Sequence, residues 1–285
     1  MNKPVLKLSK SYQQGLSMIE LLAALAIFVL LLIGLTQGVL GGSASVSTML
    51  WQGELVEDQR VASAIIANRS ANAVYVYVPG IDIELAYDVS TLNPATNDSQ
   101  WQVGRDPFLA FIESPLNKLL SCSSSTPEAC LVFVAYYAIR RDRLVLDSQY
   151  HYLKDDSNNN KWVLMEYEQR LNLSYDDLLD ANNIPIDSQV LQAKGNILVD
   201  YLDPSSDFNL TLNWCQNIDG SLNDGDGDSN PDCLALPTTP HPYLTVVSGN
   251  LSFKNSLVRR GKTITLGSIS TPISPRGLYN ALLNP

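Results

Sequence analysis

The sequence predicts an α+β fold, with one long N-terminal helix packed on an antiparallel β-sheet. Three observations carry this expectation. The run from Leu16 to Leu40 is almost wholly apolar and too long for a strand. A segment rich in helix formers continues it to about residue 70. Short β-branched and aromatic runs, separated by turn residues, then fill the remainder of the 285-residue chain.

The first element is the most informative. In LSMIELLAALAIFVLLLIGLTQGVL only Ser17, Glu20, Thr36 and Gln37 are clearly polar. At about 1.5 Å per residue, some 20 such residues cross a hydrocarbon layer of roughly 30 Å. A buried core helix rarely runs this long without a polar face. A cleaved secretory signal would have a shorter apolar region, about 7–15 residues, ending in an A-x-A-like site, and none follows. The preceding MNKPVLKLSKSYQQG carries Lys3, Lys7 and Lys10 and no acid. Basic residues beside a membrane segment stay in the cytoplasm, so the expected topology is a single span with the N-terminus inside. The large C-terminal part then lies outside the cytoplasm, where disulfides can form. Glu20 is the costly residue of the run: a carboxylate at membrane depth must be paired or sit at the interface, which makes it a functional candidate.

Beyond the span, Gly41-Gly42-Ser43 weakens a helix locally, but SASVSTMLWQGELVEDQRVASAIIANRS resumes it. Val46, Met49, Leu50, Gly53, Val56, Val61 and Ala64 recur near a 3.6-residue period, and this stripe is expected to pack on the globular part. One helix over about 17–70 results. No heptad persists long enough for a coiled coil.

Strands are expected at 74–78, 131–139, 143–152, 162–171, 197–202, 208–214, 243–247, 251–258 and 263–266. Those at 131–139, 143–152 and 162–171 read as an antiparallel meander. Residues 175–181 read as a short helix with Ser174 as its N-cap.

Composition limits the function. Hydrophobic residues at 45% and charged residues at 17% argue against global disorder. Lys+Arg 19 against Asp+Glu 29 gives a net charge of −10, which argues against a nucleic-acid scaffold. No G-x-S-x-G elbow, H-E-x-x-H or P-loop is present, so an enzyme is not expected. His151 follows Tyr150 and precedes Tyr152, and His241 lies between two prolines; both read as structural. Asp155-Asp156 and Asp176-Asp177 read as turn or cap acids.

Four cysteines allow three pairings. Sequence neighbours are favoured, Cys122 with Cys130 and Cys215 with Cys233, each closing a local loop worth about 2–4 kcal/mol. Zinc is the rival, but no C-x-x-C spacing supports it. Within the second loop, Asp219 is followed by Asp224, Asp226, Asp228 and Asp232 in a Gly-rich run. Carboxylates at this spacing converge oxygen atoms as Ca²⁺ requires, and the run resembles the D-x-D-x-D loops of EF-hand-like and thrombospondin type 3 repeats. It departs from an EF-hand in having Ser229 at position 6 and Ala235 at position 12. A solvated acidic turn is the alternative.

Gly15-Leu16-Ser17-Met18-Ile19-Glu20-Leu21, behind a short basic leader and ahead of a long apolar helix, resembles the class III signal of type IV pilins and type II secretion pseudopilins. The resemblance implies cleavage after Gly15 by a prepilin peptidase and methylation of the Leu16 amine. It makes Glu20 the fifth mature residue, which in this family pairs with the N-terminal amine of a neighbouring subunit. Two details depart: Leu replaces the commoner Phe at the first mature position, and the leader is long. The implied divisions are a leader at 1–15, a membrane and filament-core helix at 16–42, its amphipathic continuation at 43–72 and a β-rich pilin-like domain at 73–285. Loss of the leader takes the side-chain charge from −10 to −13. Size and strand content look most like PilW-type minor pilins or J-type minor pseudopilins. The resemblance implies a minor pilin that helps initiate assembly, near the tip. Its partners would be other minor pilins, the major pilin, the inner-membrane assembly platform and, before assembly, the lipid bilayer. A type II secretion pseudopilin, or a plain membrane-anchored calcium-binding or adhesive domain, are the alternatives.

Overall fold

The computed structural model describes residues 17–77, 79–114, 122–123, 125–173, 185–188, 190–203, 209–216, 244–259 and 261–273. Helix α1 (Met18–Ala71) is one unbroken element, so Gly41 and Gly42 do not interrupt it. The chain divides into two compact units, Met1–Trp51 and Gln52–Pro285.

In the first unit the apolar side chains from Met18 to Leu40 are exposed throughout. The stretch meets the length and composition of a membrane span, and none of its most apolar window is buried. Its one hydroxyl is absorbed locally: Thr36 Oγ1 donates to Leu32 O at 2.8 Å and Ile33 O at 2.9 Å. An apolar helix with no protein partner is stable only in a non-aqueous or assembled setting.

The second unit is built on a five-stranded antiparallel sheet. Its strands are β1 (Ala73–Val76), β4 (Phe108–Glu113), β5 (Val132–Arg140), β6 (Trp162–Arg170) and β7 (Gly195–Leu202), adjacent in that order. Between β1 and β4 the chain makes a small ribbon of β2 (Asp82–Glu84) and β3 (Gln100–Gln102). A second, three-stranded sheet has the order β12-β9-β8, from β8 (Asn209–Gln216), β9 (Leu244–Phe253) and β12 (Ile269–Ile273). A hairpin of β10 (Ser256–Arg259) and β11 (Lys262–Thr265) lies between the last two in sequence.

The central sheet is covered on both faces, which explains why β5 reads VFVAYYAI without alternation. One face carries Glu113, Tyr136 and Glu166 and receives the end of α1. The other carries Phe108, Phe133, Tyr137 and Tyr167 and is covered by the β1–β4 connection. Tyr77 packs edge-on against Phe133 at 5.6 Å, and Trp101 lies 4.8 Å from Tyr137. The polar ends of these buried rings are met by loop carbonyls. Tyr77 Oη donates to Pro185 O at 2.6 Å, Trp101 Nε1 to Thr91 O at 2.8 Å and Tyr137 Oη to Ser90 O at 2.9 Å. The layer is so close at Gly195 that a Cβ there would meet Tyr137 Oη at 2.5 Å and Ser90 O at 2.9 Å.

Several expectations change. Residues 143–152 are not a strand but parts of a short helix α2 (Arg141–Leu144) and a 3₁₀ turn (Ser148–Leu153). Leu144, Tyr150 and Leu153 turn inward at roughly threefold spacing, while Leu146 and Tyr152 are exposed, which a strand cannot do. Asp147 caps the turn by accepting from Gln149 N–H at 2.8 Å. The expected strands at 243–247 and 251–258 are divided differently: β9 runs through 248–250, and the break comes at Lys254-Asn255. Strands β2, β3, β4 and β12 were not expected. The short helix expected at 175–181 lies outside the described residues.

The helix packs on the globular part by a different face from the one expected. Val46, Met49, Leu50, Gly53, Val56, Val61 and Ala64 are all exposed. The buried face is Leu55, Gln59, Ala62, Ile66 and Ser70, spaced i, i+4, i+7, i+11 and i+15. Its two amide and hydroxyl side chains are the reason it is not the more hydrophobic of the two. Gln59 Nε2 donates to Phe253 O and Gly267 O, both at 3.2 Å, and Ser70 Oγ donates to Ala67 O at 3.1 Å.

Candidate assembly site

The start of α1 is built by two side chains three residues apart. Ser17 precedes the first helical residue, and Glu20 stands in the first turn. Ser17 N–H donates to Glu20 Oε2 at 2.9 Å, and Glu20 N–H donates to Ser17 Oγ at 3.3 Å. This reciprocal capping box satisfies two of the N–H groups that a helix start leaves open, and the carboxylate also favours the positive end of the helix dipole. Glu20 is exposed. Among the described residues only Ser17 bonds the carboxylate, which leaves its second oxygen available to a cation outside the chain. Gly15 and Leu16 lie outside the described residues.

At the other end of α1, Arg69 fixes the helix to the central sheet. Its Nε and Nη2 donate to Glu113, the shortest contact being 2.6 Å, and its Nη1 donates to Glu166 at 3.0 Å and Glu168 at 2.9 Å. Tyr136 Oη donates to the same Glu166 oxygen at 2.8 Å. Burial disfavours the guanidinium charge, but the bonds and charge of Glu113, with Glu168 adding to them, outweigh it and hold the Arg69 pKa above its ordinary value. Burial drives the Tyr136 hydroxyl upward, and Glu166 adds to that, so it stays a donor. The spacing signal missed both this anchor and the buried helix face, because Arg69 is flanked by Asn68 and Ser70 and reads as a solvated end.

Cys122 and Cys130 form a disulfide with Cα atoms 4.5 Å apart, and Cys130 lines one cavity with Arg69, Glu113 and Glu168. The bond closes the loop that leads into β5. Cys215 falls in β8, but its side chain, Cys233, His241 and the acidic run from Asp219 through Asp224, Asp226 and Asp228 to Asp232 lie outside the described residues. Among the described residues no three carboxylate, histidine or cysteine side chains are grouped as a metal would need. His151 is exposed on the 3₁₀ turn, and Asp155 accepts from Ser157 N–H at 3.1 Å and Asn158 Nδ2 at 2.7 Å, which is turn chemistry.

Residues 10–36 match the prokaryotic N-terminal methylation motif. The chain carries the class III signal of type IV pilins and pseudopilins. The match covers the segment from the last leader lysine to Thr36, near the end of the apolar run, about a tenth of the chain. No curated protein and no solved structure matches the chain. Together with the long apolar helix and the antiparallel sheet, the motif fits the pilin and pseudopilin superfamily, and the α+β architecture is pilin-like. A class III signal implies processing by prepilin peptidase and assembly with other pilins, and it indicates a structural protein rather than an enzyme.

Proposed function

We propose that this chain is a minor pilin of a type IV pilus, cleaved after Gly15, methylated on Leu16 and incorporated by association alone. The observation that carries the reading is the register of one residue. Glu20 follows Gly15 by five positions and stands exposed in the first turn of a helix whose next fifteen residues, Leu21 to Leu35, offer only apolar surface. A plain membrane anchor has no use for a carboxylate there, whereas a subunit that must recognise a neighbour's terminal amine does.

The exposed face of the outer helix supports the same reading. Gly53, Val56, Val61 and Ala64 lie away from the domain, and an apolar helix face left open by its own fold is suited to a neighbouring helix. The span would place the N-terminus in the cytoplasm and the sheet in the periplasm before extraction into a filament. At 285 residues the precursor is bulky for a subunit repeated along a whole filament, which favours a minor position near the tip. A type II secretion pseudopilin uses the same chemistry and is the second reading.

The test is incorporation. Tagged chain expressed with its neighbouring pilin genes should be recovered in sheared filaments or with the other minor subunits, and Glu20→Gln should be depleted from both. Equal recovery of the variant would mean that Glu20 only caps its own helix.

A further inference from the structure

The three-stranded sheet and the β10–β11 hairpin meet the rest of the globular unit along a polar seam. From α1, Gln59 reaches Phe253 O and Gly267 O, and Ser63 Oγ accepts from Thr271 Oγ1 at 2.7 Å. From the β5–β6 connection, the Asn158 amide accepts from Val258 N–H at 2.7 Å and donates to Val258 O at 2.9 Å, standing in for a strand neighbour. Lys161 Nζ, buried, donates to Ser256 Oγ at 2.9 Å. Six of the thirteen buried polar and charged residues among those described lie along this seam.

At its centre β7 is irregular. Leu202 pairs with Trp162 and Val199 with Leu164, so Asp200 and Tyr201 together oppose Val163. Tyr201 takes a φ of 62°, a left-handed conformation that a bulky residue adopts only where its surroundings hold it. Arg141 does the holding. It is 1% exposed, its Nε donates to both Asp200 oxygens at 2.9 and 3.1 Å, and its guanidinium stacks 4.8 Å from the Tyr201 ring centre. Asn255 Nδ2 ties the β9–β10 turn to Asp200 O at 3.1 Å. Arg141 Nη1 and Asn255 Oδ1 are both buried with no hydrogen-bond partner among the described residues.

We infer that this seam is a release joint, at which the C-terminal sheet and its hairpin open as a unit from the helix and the five-stranded sheet, with Asn255 as the bond across it and Arg141 shaping the Asp200–Tyr201 bulge on which Asn255 seats. The reason is energetic. A seam closed by hydrogen bonds exchanges them for bonds to water on opening, at little net cost. Opening also hydrates the buried Asn255 Oδ1. The central sheet is held instead by stacked aromatic and aliphatic side chains, which lose far more on exposure. Leu251, Phe253 and Ile273 supply the apolar contacts that keep the joint closed at rest, and opening would present them to a docking subunit.

Hydrogen exchange followed by mass spectrometry on the full chain in detergent micelles tests this. Amides of β9, β10 and β12 should exchange together, about tenfold or more faster than those of β4–β6. Arg141→Lys keeps the charge but loses the fork and the stacking, and should accelerate β9, β10 and β12 by a further tenfold or so while leaving β4–β6 unchanged. The wild-type comparison stands whether or not the variant folds. Equal protection of the two regions would overturn the joint, and an unchanged profile in Arg141→Lys would overturn the part given to the bulge.

Discussion

Ser17 and Glu20 satisfy each other's backbone across the first turn of α1, with bonds of 2.9 and 3.3 Å. The carboxylate proposed to recognise a neighbouring subunit is thus held in place by its own helix. Cap and charge can be separated. Glu20→Gln keeps an acceptor for Ser17 N–H and loses only the charge, so helix content in micelles should be unchanged while filament incorporation falls about tenfold, equivalent to ~1.4 kcal/mol. Ser17→Ala removes one half of the cap, about 1 kcal/mol locally, and should leave incorporation largely intact. Circular dichroism and quantitative blotting of sheared filaments measure the two effects. The reverse ranking, with Ser17→Ala the more damaging, would assign Glu20 to capping alone.

Arg69 joins one helix to two strands through three carboxylates. Arg69→Ala leaves Glu113 and Glu166 half-buried without their cation, and should destabilise the globular unit by about 3 kcal/mol. Arg69→Met, which fills the same space, should be no milder, because the cost lies in the stranded carboxylates. Adding Glu113→Gln to Arg69→Met should recover part of the loss. Thermal unfolding followed in the near ultraviolet reports all three.

The aromatic layer predicts a steric effect at Gly195. A methyl group there would sit 2.5 Å from Tyr137 Oη and 2.9 Å from Ser90 O, both fixed by hydrogen bonds to each other. Gly195→Ala should therefore lower stability by about 1–3 kcal/mol despite the gain in chain stiffness. Combining it with Tyr137→Phe, which removes the clashing oxygen, should restore part of it, and denaturant titration decides.

Asp88 gives a pH dependence. Burial pushes its carboxyl upward, but hydrogen bonds from the Ser90 side chain and backbone and from Lys194 hold it below the usual carboxylate range. A depressed carboxylate contributes stability that is present above its unfolded pKa of about 3.9 and is lost as the pH falls through the lower folded value. Wild type should lose more thermal stability than Asp88→Ala between about pH 5 and 2, and parallel curves would remove Asp88 from the account.

How much of this was legible depended on whether a side chain's hydrophobicity and its burial agreed. The span was legible because its every residue from Leu21 to Thr36 is apolar or small up to a single hydroxyl. Strands β5 and β6 were legible as long β-branched and aromatic runs. The 143–152 segment misled because Leu144 and Leu146, then Tyr150 and Tyr152, imitate a twofold period, yet only Leu144 and Tyr150 are buried. Strand β4 was missed although Phe108-Leu-Ala-Phe-Ile is a plain apolar run between Pro107 and Ser114. The helix face was misassigned because the packing face contains Gln59 and Ser70, whose polar atoms are satisfied inside. The more apolar stripe is the one the subunit leaves open. Glu20 was legible from its cost and its register, whereas its bond to Ser17 followed only from the structure.

The acidic loop, outside the described residues, carries a proposal of its own. Asp224, Asp226, Asp228 and Asp232 repel one another unless a cation offsets them. Millimolar Ca²⁺ should raise the thermal midpoint of the globular unit, by an amount equivalent to about 2.7 kcal/mol at a hundredfold excess over its dissociation constant, and Mg²⁺ should do so less. Joint Asp226→Ala and Asp228→Ala substitution should abolish the response. An unmoved midpoint at millimolar Ca²⁺ would make the loop a solvated turn.

The most direct test of the pilin reading is the mass of the N-terminal peptide from chain isolated in cells that carry a prepilin peptidase. The account predicts a peptide that begins at Leu16 and carries one added methyl group on its amine, and the uncleaved form when the peptidase is deleted. A mature chain that retains Met1–Gly15, or one cut beyond the apolar helix, would contradict it.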